Sequence, residues 1–279
     1  MLVRQDGGIK KRCILFIRFL FMKYNLFILI FIPLVSFSQF IDDFSDGEFS
    51  SNPEWFGDEL SFEIDSNNSL HLYDTIANIS SLVTNSQALM NGEWVFSVRL
   101  DFSPSTNNYA KVYLVSDMIN LQNPLQGMYV KIGGQSGNVD DLSLYVQNGT
   151  NHNMIIDGTD GLLTDNPDIR VKVTRDVVGN WELFLDTNGI FFSEGIAFDN
   201  SIISSEYFGV YCKYTVTRSD KFWFDEFSVN GSALSFNEYS LNKKLINVVD
   251  LLGRESKQNN QILFYIYKNG TVEKRISIE

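Results

Sequence analysis

The body of the chain is predicted to be all-β, a two-sheet antiparallel sandwich that carries a small C-terminal β-meander. Apolar and polar residues alternate with period two in many short segments, as in residues 94–102 (WVFSVRLDF), which is the pattern of half-buried strands. Turn dipeptides such as Asn91-Gly92 and Asn148-Gly149 separate these segments. After residue 38, no segment keeps a helical period over three turns. Many short strands at this spacing indicate two sheets about 10 Å apart around one core.

The predicted strands follow one another with the same alternation. They lie in residues 94–102, 110–114, 128–132, 142–146, 169–173, 181–185, 208–214 and 221–229. Their inward faces predict a core that contains Trp94, Phe96, Val98, Val112, Val171, Leu183 and Val210. Cys212 is the one cysteine after residue 38, so an internal disulfide is excluded there, and its aromatic neighbours favour a buried position.

Residues 22–38 (MKYNLFILIFIPLVSFS) have the layout of a secretory signal peptide. Lys23 supplies the basic start, about a dozen apolar residues follow, and Ser36-Phe37-Ser38 is a small-x-small cleavage pattern. We therefore expect residues 1–38 to be a leader and signal peptide, and the mature protein to be secreted or held at the cell surface without spanning a membrane. The alternative is one uncleaved signal anchor, although Arg18 and Lys23 interrupt the roughly 20 apolar residues that a spanning helix needs.

The charge of the chain restricts its partners. The 279 residues carry a formal net charge of −12, and the leader is basic, so the mature part is more acidic still. Binding to nucleic acid depends on lysines and arginines that neutralise phosphates, so nucleic acid is not an expected partner.

The C-terminal residues contain several motifs in order. Residues 248–255 (VVDLLGRE) join an apolar strand to the pattern D-x-x-G-[RK]-E, and residues 264–276 (FYIYKNGTVEKRI) read as a hairpin. This region resembles the C-terminal sorting domain of type IX secretion substrates in Bacteroidetes. The residues that match are Asp250, Gly253, Arg254, Glu255, Tyr267, Gly270, Lys274 and Arg275. The resemblance implies export by the type IX secretion machinery, with residues 242–279 as the sorting domain and residues 232–241 as a linker; the alternative is a small β-meander that completes the sandwich.

Residues 39–231 resemble a concanavalin A-like or laminin-G-like jelly roll. The resemblance is carried by residues 42–55 (DDFSDGEFSSNPEW), 102–117 (FSPSTNNYAKVYLVSD), 171–186 (VKVTRDVVGNWELFLD) and 208–229 (FGVYCKYTVTRSDKFWFDEFSV). It implies a sandwich whose first and last strands lie side by side. These are framework motifs that identify no active site.

Catalytic patterns are incomplete in this sequence. Laminarinase-like jelly rolls carry E-x-D-x-x-E on one strand, and here Glu63 and Asp65 begin that pattern but Asn68 ends it. The pair of carboxylates that glycoside hydrolysis requires is therefore not formed by this motif. The two histidines, His71 and His152, have no metal-ligand spacing, and we expect each at an exposed strand or turn position. The residues favour a protein without enzymatic activity, and a secreted jelly-roll glycoside hydrolase remains the alternative.

Acidic residues cluster at both ends of the predicted sandwich. Asp43 and Asp46 lie at the first strand and Asp225 lies on the last. If these strands pair, the carboxylates offer the oxygen ligands that Ca²⁺ prefers, so they are the candidate calcium site. The alternative is that they cap turns in an acidic protein.

Tyrosine and basic residues recur on the side of the strands that faces away from the core. This outward set includes Arg99, Tyr113, Tyr129, Lys131, Tyr145, Arg170, Tyr211 and Lys213. If the strands adjoin, the set forms one aromatic and cationic face, on which sugar rings can stack and ammonium groups can bind hydroxyls or acidic sugars. The candidate ligand residues are Arg99, Tyr113, Tyr129, Lys131, Tyr145 and Tyr211. They predict a non-catalytic module that binds a glycan or another surface polymer, or mediates adhesion; the alternative is cross-strand tyrosine pairing that only stabilises the sheet.

Overall fold

The computed structural model describes residues 40–137, 139–233, 245–250, 252–255, 262–267 and 272–276. The predicted leader, residues 1–38, lies outside this range, as does most of the predicted linker. Within the described residues, strands dominate and the helical elements are two short 3-10 turns at Glu59–Ser61 and Val216–Arg218. None of the described helical segments has the length and apolar character to cross a membrane.

The first sheet has eight strands. Its path is β13-β12-β11-β6-β15-β4-β3, and β1 also pairs with β15. Every recorded pairing is antiparallel. The strands are β1 (Phe40–Asp42), β3 (Phe62–Ile64), β4 (Leu70–Leu72), β6 (Met90–Leu100), β11 (Asp168–Arg175), β12 (Asn180–Asp186), β13 (Phe192–Phe198) and β15 (Phe222–Ser232).

The second sheet has seven antiparallel strands in the order β10-β9-β8-β7-β14-β5-β2. The strands are β2 (Phe56–Gly57), β5 (Asn78–Asn85), β7 (Tyr109–Ser116), β8 (Leu125–Ile132), β9 (Leu142–Gly149), β10 (Asn151–Ile156) and β14 (Tyr207–Tyr214). The chain crosses between the sheets several times, which gives the jelly-roll topology.

The core lies between the two sheets, as the alternation predicts. All seven residues expected in it are buried, together with Cys212 as a free thiol. Trp94 and Trp181 lie on the first sheet and stack with ring centroids 5.5 Å apart. Burial of such apolar area is the main stabilising contribution to a sandwich without disulfides.

The first and last strands of the sandwich lie side by side. β1 pairs with β15 in the register Phe40↔Val229 and Asp42↔Phe227. The Asp42 carboxylate accepts hydrogen bonds from the Trp55 indole (2.8 Å) and from the Phe44 amide (3.0 Å), so it fastens this end of the chain to the core. The expected adjacency of the two strands is confirmed.

The C-terminal residues form a separate three-stranded sheet in the order β16-β17-β18. Its strands are β16 (Leu245–Val249), β17 (Ile262–Tyr267) and β18 (Val272–Ile276). The D-x-x-G-[RK]-E motif forms the turn after β16. Asp250 accepts hydrogen bonds from the Leu252 and Arg254 amides and forms an ion pair with the Arg254 guanidinium at 2.8 Å. Gly253 has φ 78°, a conformation that favours glycine, so the motif residues are those that this turn requires.

Candidate functional site

Five of the six candidate ligand residues lie on one surface, the outward face of the second sheet. The register across β7, β8 and β9 aligns Tyr113, Tyr129 and Tyr145 in one row. The adjacent row aligns Tyr211 on β14 with Lys111 on β7 and Lys131 on β8. We call this surface the tyrosine–lysine face and define it by Tyr109, Lys111, Tyr113, Tyr129, Lys131, Tyr145, Tyr211 and Lys213.

Arg99 does not belong to this face. It lies on β6 in the first sheet, and the same alternation that places it outward places it on the opposite side of the sandwich. Its guanidinium stacks 3.9 Å above the ring of Trp223, and His71 stacks on Trp223 at 4.6 Å. His71 is buried, contrary to expectation, and its ring contacts Glu63 and the carbonyl of Asp220.

The tyrosines of the face form a continuous ladder of rings. Tyr113 and Tyr129 have centroids 4.9 Å apart, and Tyr129 and Tyr145 stack in parallel at 5.1 Å. The Tyr113 hydroxyl donates to Gln147 at 2.8 Å, and the Tyr129 hydroxyl lies 3.1 Å from His152 Nδ1. The ladder therefore combines aromatic contact with satisfied polar ends.

Most of the rings in this ladder are buried and do not form an exposed surface. Tyr113, Tyr129 and Tyr211 are 0%, 2% and 6% exposed. They form a second apolar cluster with Leu121 and Leu125, which come from the β7–β8 connection and from the start of β8. The expectation that these three rings offer free stacking surfaces is wrong. The accessible part is the rim: half-buried Tyr109, Tyr145, Lys131 and Lys213, with exposed His152.

Lys111 lies at the centre of the face and is only 8% exposed. Its ammonium lies 4.4 Å from the Tyr129 centroid, 4.8 Å from that of Tyr211 and 5.7 Å from that of Tyr113. Lys131 and Lys213 extend toward it from the flanking strands, where both contact the ring of Tyr109. Lys111 is not among the site residues predicted from the sequence. Its position two residues before Tyr113 on the same strand nevertheless predicts the same outward face.

The electrostatics of the face follow from burial and from crowded cations. Burial, with smaller contributions from Lys131 and Lys213, lowers the pKa of Lys111 to about 8. Burial also raises the pKa values of Tyr113, Tyr129 and Tyr211, so these phenols are neutral at physiological pH. The face is therefore a cationic surface on an acidic protein.

Two carboxyl groups lie at one edge of the face, beyond Tyr145. Asp141 is buried and accepts hydrogen bonds from Ser143 and Gln135. Burial raises the pKa of the Asp141 carboxyl, and the charge and hydrogen bond of Asp157 raise it further. Asp141 and Asp157 are therefore neighbouring carboxyls, and a pair of carboxyls is what glycoside hydrolysis requires.

The candidate calcium residues accept hydrogen bonds from their own surroundings. Asp43 and Asp46 each accept a hydrogen bond from the amide two residues ahead, as turn-capping side chains do. Asp225 accepts from Ser69 and from the Glu226 amide. Among the described residues, no group of three or more acidic, histidine or cysteine side chains has the arrangement of a metal site. Calcium bound at Asp43, Asp46 and Asp225 stays a prediction.

Comparison with known proteins identifies the fold. No protein family profile matches the chain, and no curated protein matches it. Among solved structures, the exoplasmic/lumenal domain of VIP36 in a Ca²⁺/Man-bound form is 12% identical with a TM-score of 0.52, over 69% of this chain and 88% of that chain. The carbohydrate recognition domain of Emp47p is 13% identical (TM-score 0.51, 69% and 93%). The legume lectin-like domain from Entamoeba histolytica is 11% identical (TM-score 0.50, 70% and 96%). The sandwich therefore has the legume-lectin-like, concanavalin A-like jelly-roll fold.

Proposed function

We propose that this protein is a secreted or cell-surface module that binds a glycan or another extended surface polymer on its tyrosine–lysine face. The observation that carries the proposal is the concentration of three lysines and five tyrosines on one sheet of a strongly acidic chain. The fold is shared with carbohydrate recognition domains, which adds support at low identity. Aromatic rings match the apolar faces of sugars, and ammonium groups match their hydroxyl and acidic substituents.

The rim of the face would make the ring-stacking contacts with a ligand, because Tyr113, Tyr129 and Tyr211 are buried. Tyr145 is half-buried and has one ring face against Tyr129, and His152, which also contacts Tyr129, is exposed. A shallow surface of this kind favours weak binding, on the order of 0.01–1 mM for a single site. Display of many copies at a cell surface would increase the effective affinity without new contacts, which is the basis for a role in adhesion.

A glycan array with the chain lacking residues 1–38 tests the proposal, followed by titration of the best ligand. Tyr145→Ala should weaken binding at least tenfold, which corresponds to about 1.4 kcal/mol. Tyr73→Ala is a matched control, because Tyr73 is a half-exposed tyrosine that follows β4 of the first sheet. Wild-type affinity in Tyr145→Ala, or an equal loss in Tyr73→Ala, would place the site elsewhere.

The hydrolase alternative receives one specific test from the structure. The Asp141–Asp157 pair acts on Tyr145 of the face, so it is the carboxyl pair to test for hydrolysis. Incubation with the polysaccharides that bind should release no new reducing ends. Release that Asp141→Asn abolishes would instead establish the hydrolase.

Export by the type IX machinery is the proposed route to the surface. Its support is the sequence resemblance of residues 242–279 and the compact Asp250–Arg254 turn that the motif forms. In a Bacteroidetes host, we expect the exported protein to begin near Gln39 by mass spectrometry. Deletion of residues 242–279 should trap it in the cell envelope, and secretion of the truncated protein would refute this route.

A further inference from the structure

Lys111 is a buried cation that has no counter-ion among the described residues. It contacts three tyrosine rings, and within the same part of the chain it forms no ion pair or hydrogen bond. Its two cationic neighbours differ, because Lys131 donates to the carbonyl of Gly134 and Lys213 to that of Thr106, each at 3.0 Å. Burial of an unpaired charge is costly, so an anion that reaches Lys111 would relieve a cost that the folded protein already carries.

The surroundings of Lys111 restrict what this anion can be. Lys131 and Lys213 lie on either side of Lys111, and the Tyr109 ring contacts both of them. A ligand bound at Lys111 therefore contacts both cations and aromatic rings. A carboxylate or sulfate group carried on a sugar ring combines the two requirements, since its charge pairs with the ammonium groups and its ring packs on tyrosine.

On this basis, we propose that the tyrosine–lysine face selects anionic polysaccharides, with Lys111 as the buried cation that pairs with a carboxylate or sulfate group of the sugar. The inference rests on the proposed glycan-binding function and narrows it to a ligand class. The net charge of −12 repels polyanions from the rest of the surface, so recognition depends on the local cluster of cations.

The role of Lys111 differs from that of a stabilising residue. A lysine retained only for structure should lower stability when it is replaced. Replacement of an uncompensated buried charge by an apolar side chain of similar length should instead leave the fold intact or stabilise it. Lys111→Met therefore separates binding from folding in one variant.

The test measures binding of a uronic-acid hexasaccharide, a sulfated dextran oligosaccharide and unmodified dextran by isothermal titration calorimetry, using the full chain after residue 38. We expect the anionic ligands to bind and dextran to bind at least tenfold more weakly. Lys111→Met should reduce anionic binding at least tenfold without a fall in thermal stability. High salt should weaken the wild-type interaction, because exposed charge pairs are screened beyond about 10 Å at 0.1 M.

Lys172→Met is the matched control on the opposite sheet. The Lys172 ammonium also lies above an aromatic ring, that of Phe184 at 4.2 Å. Its replacement by Met should leave binding unchanged. The uronic-acid and sulfated arms distinguish the carboxylate from the sulfate as the recognised group.

Three results would overturn the inference, and only the third would also overturn the proposed function. Equal binding of dextran and the anionic ligands, unaffected by Lys111→Met, refutes anion selection while glycan binding stands. Equal binding of polyglutamate would show a general anion site without sugar recognition. Absence of binding to every glycan, charged or neutral, would refute both the inference and the proposed function.

Discussion

The burial of Lys111 predicts a measurable cost to folding. Its pKa is lowered from 10.5 to about 8, first by burial and then by Lys131 and Lys213. At 1.36 kcal/mol per pKa unit, this corresponds to about 3 kcal/mol of lost stability while the lysine is protonated in both states. Lys111→Met removes the charge and keeps much of the apolar stem. We therefore expect Lys111→Met to be more stable than the wild type at neutral pH, by up to about 3 kcal/mol.

The pH dependence is the sharper measurement, and its sign follows from proton uptake. Below pH 8 the lysine is protonated in the folded and unfolded protein, so the cost is fully present. Between pH 8 and 10.5 the folded protein releases a proton that the unfolded chain keeps, so wild-type stability rises with pH. Between pH 6.5 and 9.5 this contribution amounts to about 2 kcal/mol. Lys111→Met should lack it.

Urea unfolding at pH 6.5 and 9.5 measures the difference in the free energy of unfolding between Lys111→Met and the wild type. The contributions of other groups that titrate in this range cancel in that difference. The stability advantage of Lys111→Met should shrink by about 2 kcal/mol as the pH is raised. Lys172→Met on the first sheet should follow the wild type at every pH. A constant difference between Lys111→Met and the wild type would refute the assignment of Lys111 as an uncompensated buried charge.

Three further predictions concern packing. Trp94→Ala removes a fully buried ring that stacks on Trp181, so it should cost about 3–5 kcal/mol in urea unfolding, and a cost below about 1 would contradict its place in the core. Tyr129→Ala should cost about 3 kcal/mol and Tyr145→Ala about 1, because Tyr129 is buried in the second cluster and Tyr145 is at the rim; equal costs would refute this layering. Asp250→Ala removes the carboxylate that accepts from the Leu252 and Arg254 amides, so hydrogen-exchange protection should fall in β16 and β17 while the thermal midpoint of the sandwich stays constant.

The inward half of the fold could be predicted from the sequence because burial acts directly on it. A strand with one face in the core repeats its apolar residues every second position, and a one-residue shift would expose all of them. The segment 94–102 therefore fixes Trp94, Phe96 and Val98 as core residues before any neighbour is known. The resemblance of residues 42–55 and 208–229 to jelly-roll frameworks similarly predicts that the first and last strands adjoin.

The outward half could not be predicted as far, because alternation gives the face of a strand and not the sheet it joins. Arg99 and Lys131 are both outward, yet β6 and β8 belong to different sheets. The chain moves from the first sheet to the second after β6 and returns at β11. Strand partners at such distances depend on the packing of the whole sandwich, which a local pattern does not contain.

The exposure of the tyrosines also could not be predicted from the alternation pattern. An outward residue is exposed only if nothing covers it, and Leu121 and Leu125 cover part of the second sheet. The segment that contains Leu121 has no alternating strand pattern. The sequence therefore gives no sign that this segment packs on the outward face of the sheet. Tyr113, Tyr129 and Tyr211, which the sequence predicts as binding residues, are therefore buried in a second apolar cluster. The groups left to contact a ligand are those of the rim and Lys111.

The tyrosine–lysine face thus contains residues with opposite relations to stability. The buried tyrosines stabilise the sheet through ring contacts and satisfied hydroxyls, so their loss should weaken folding and, as a consequence, binding. The burial of Lys111 predicts that it lowers stability, and a role in binding would account for a residue with that effect. Tyr129→Ala should therefore lose both stability and anionic glycan binding, whereas Lys111→Met should gain stability and lose binding. Measured side by side, a loss of both stability and binding in both variants would mean that Lys111 supports the sheet and affects binding only through folding.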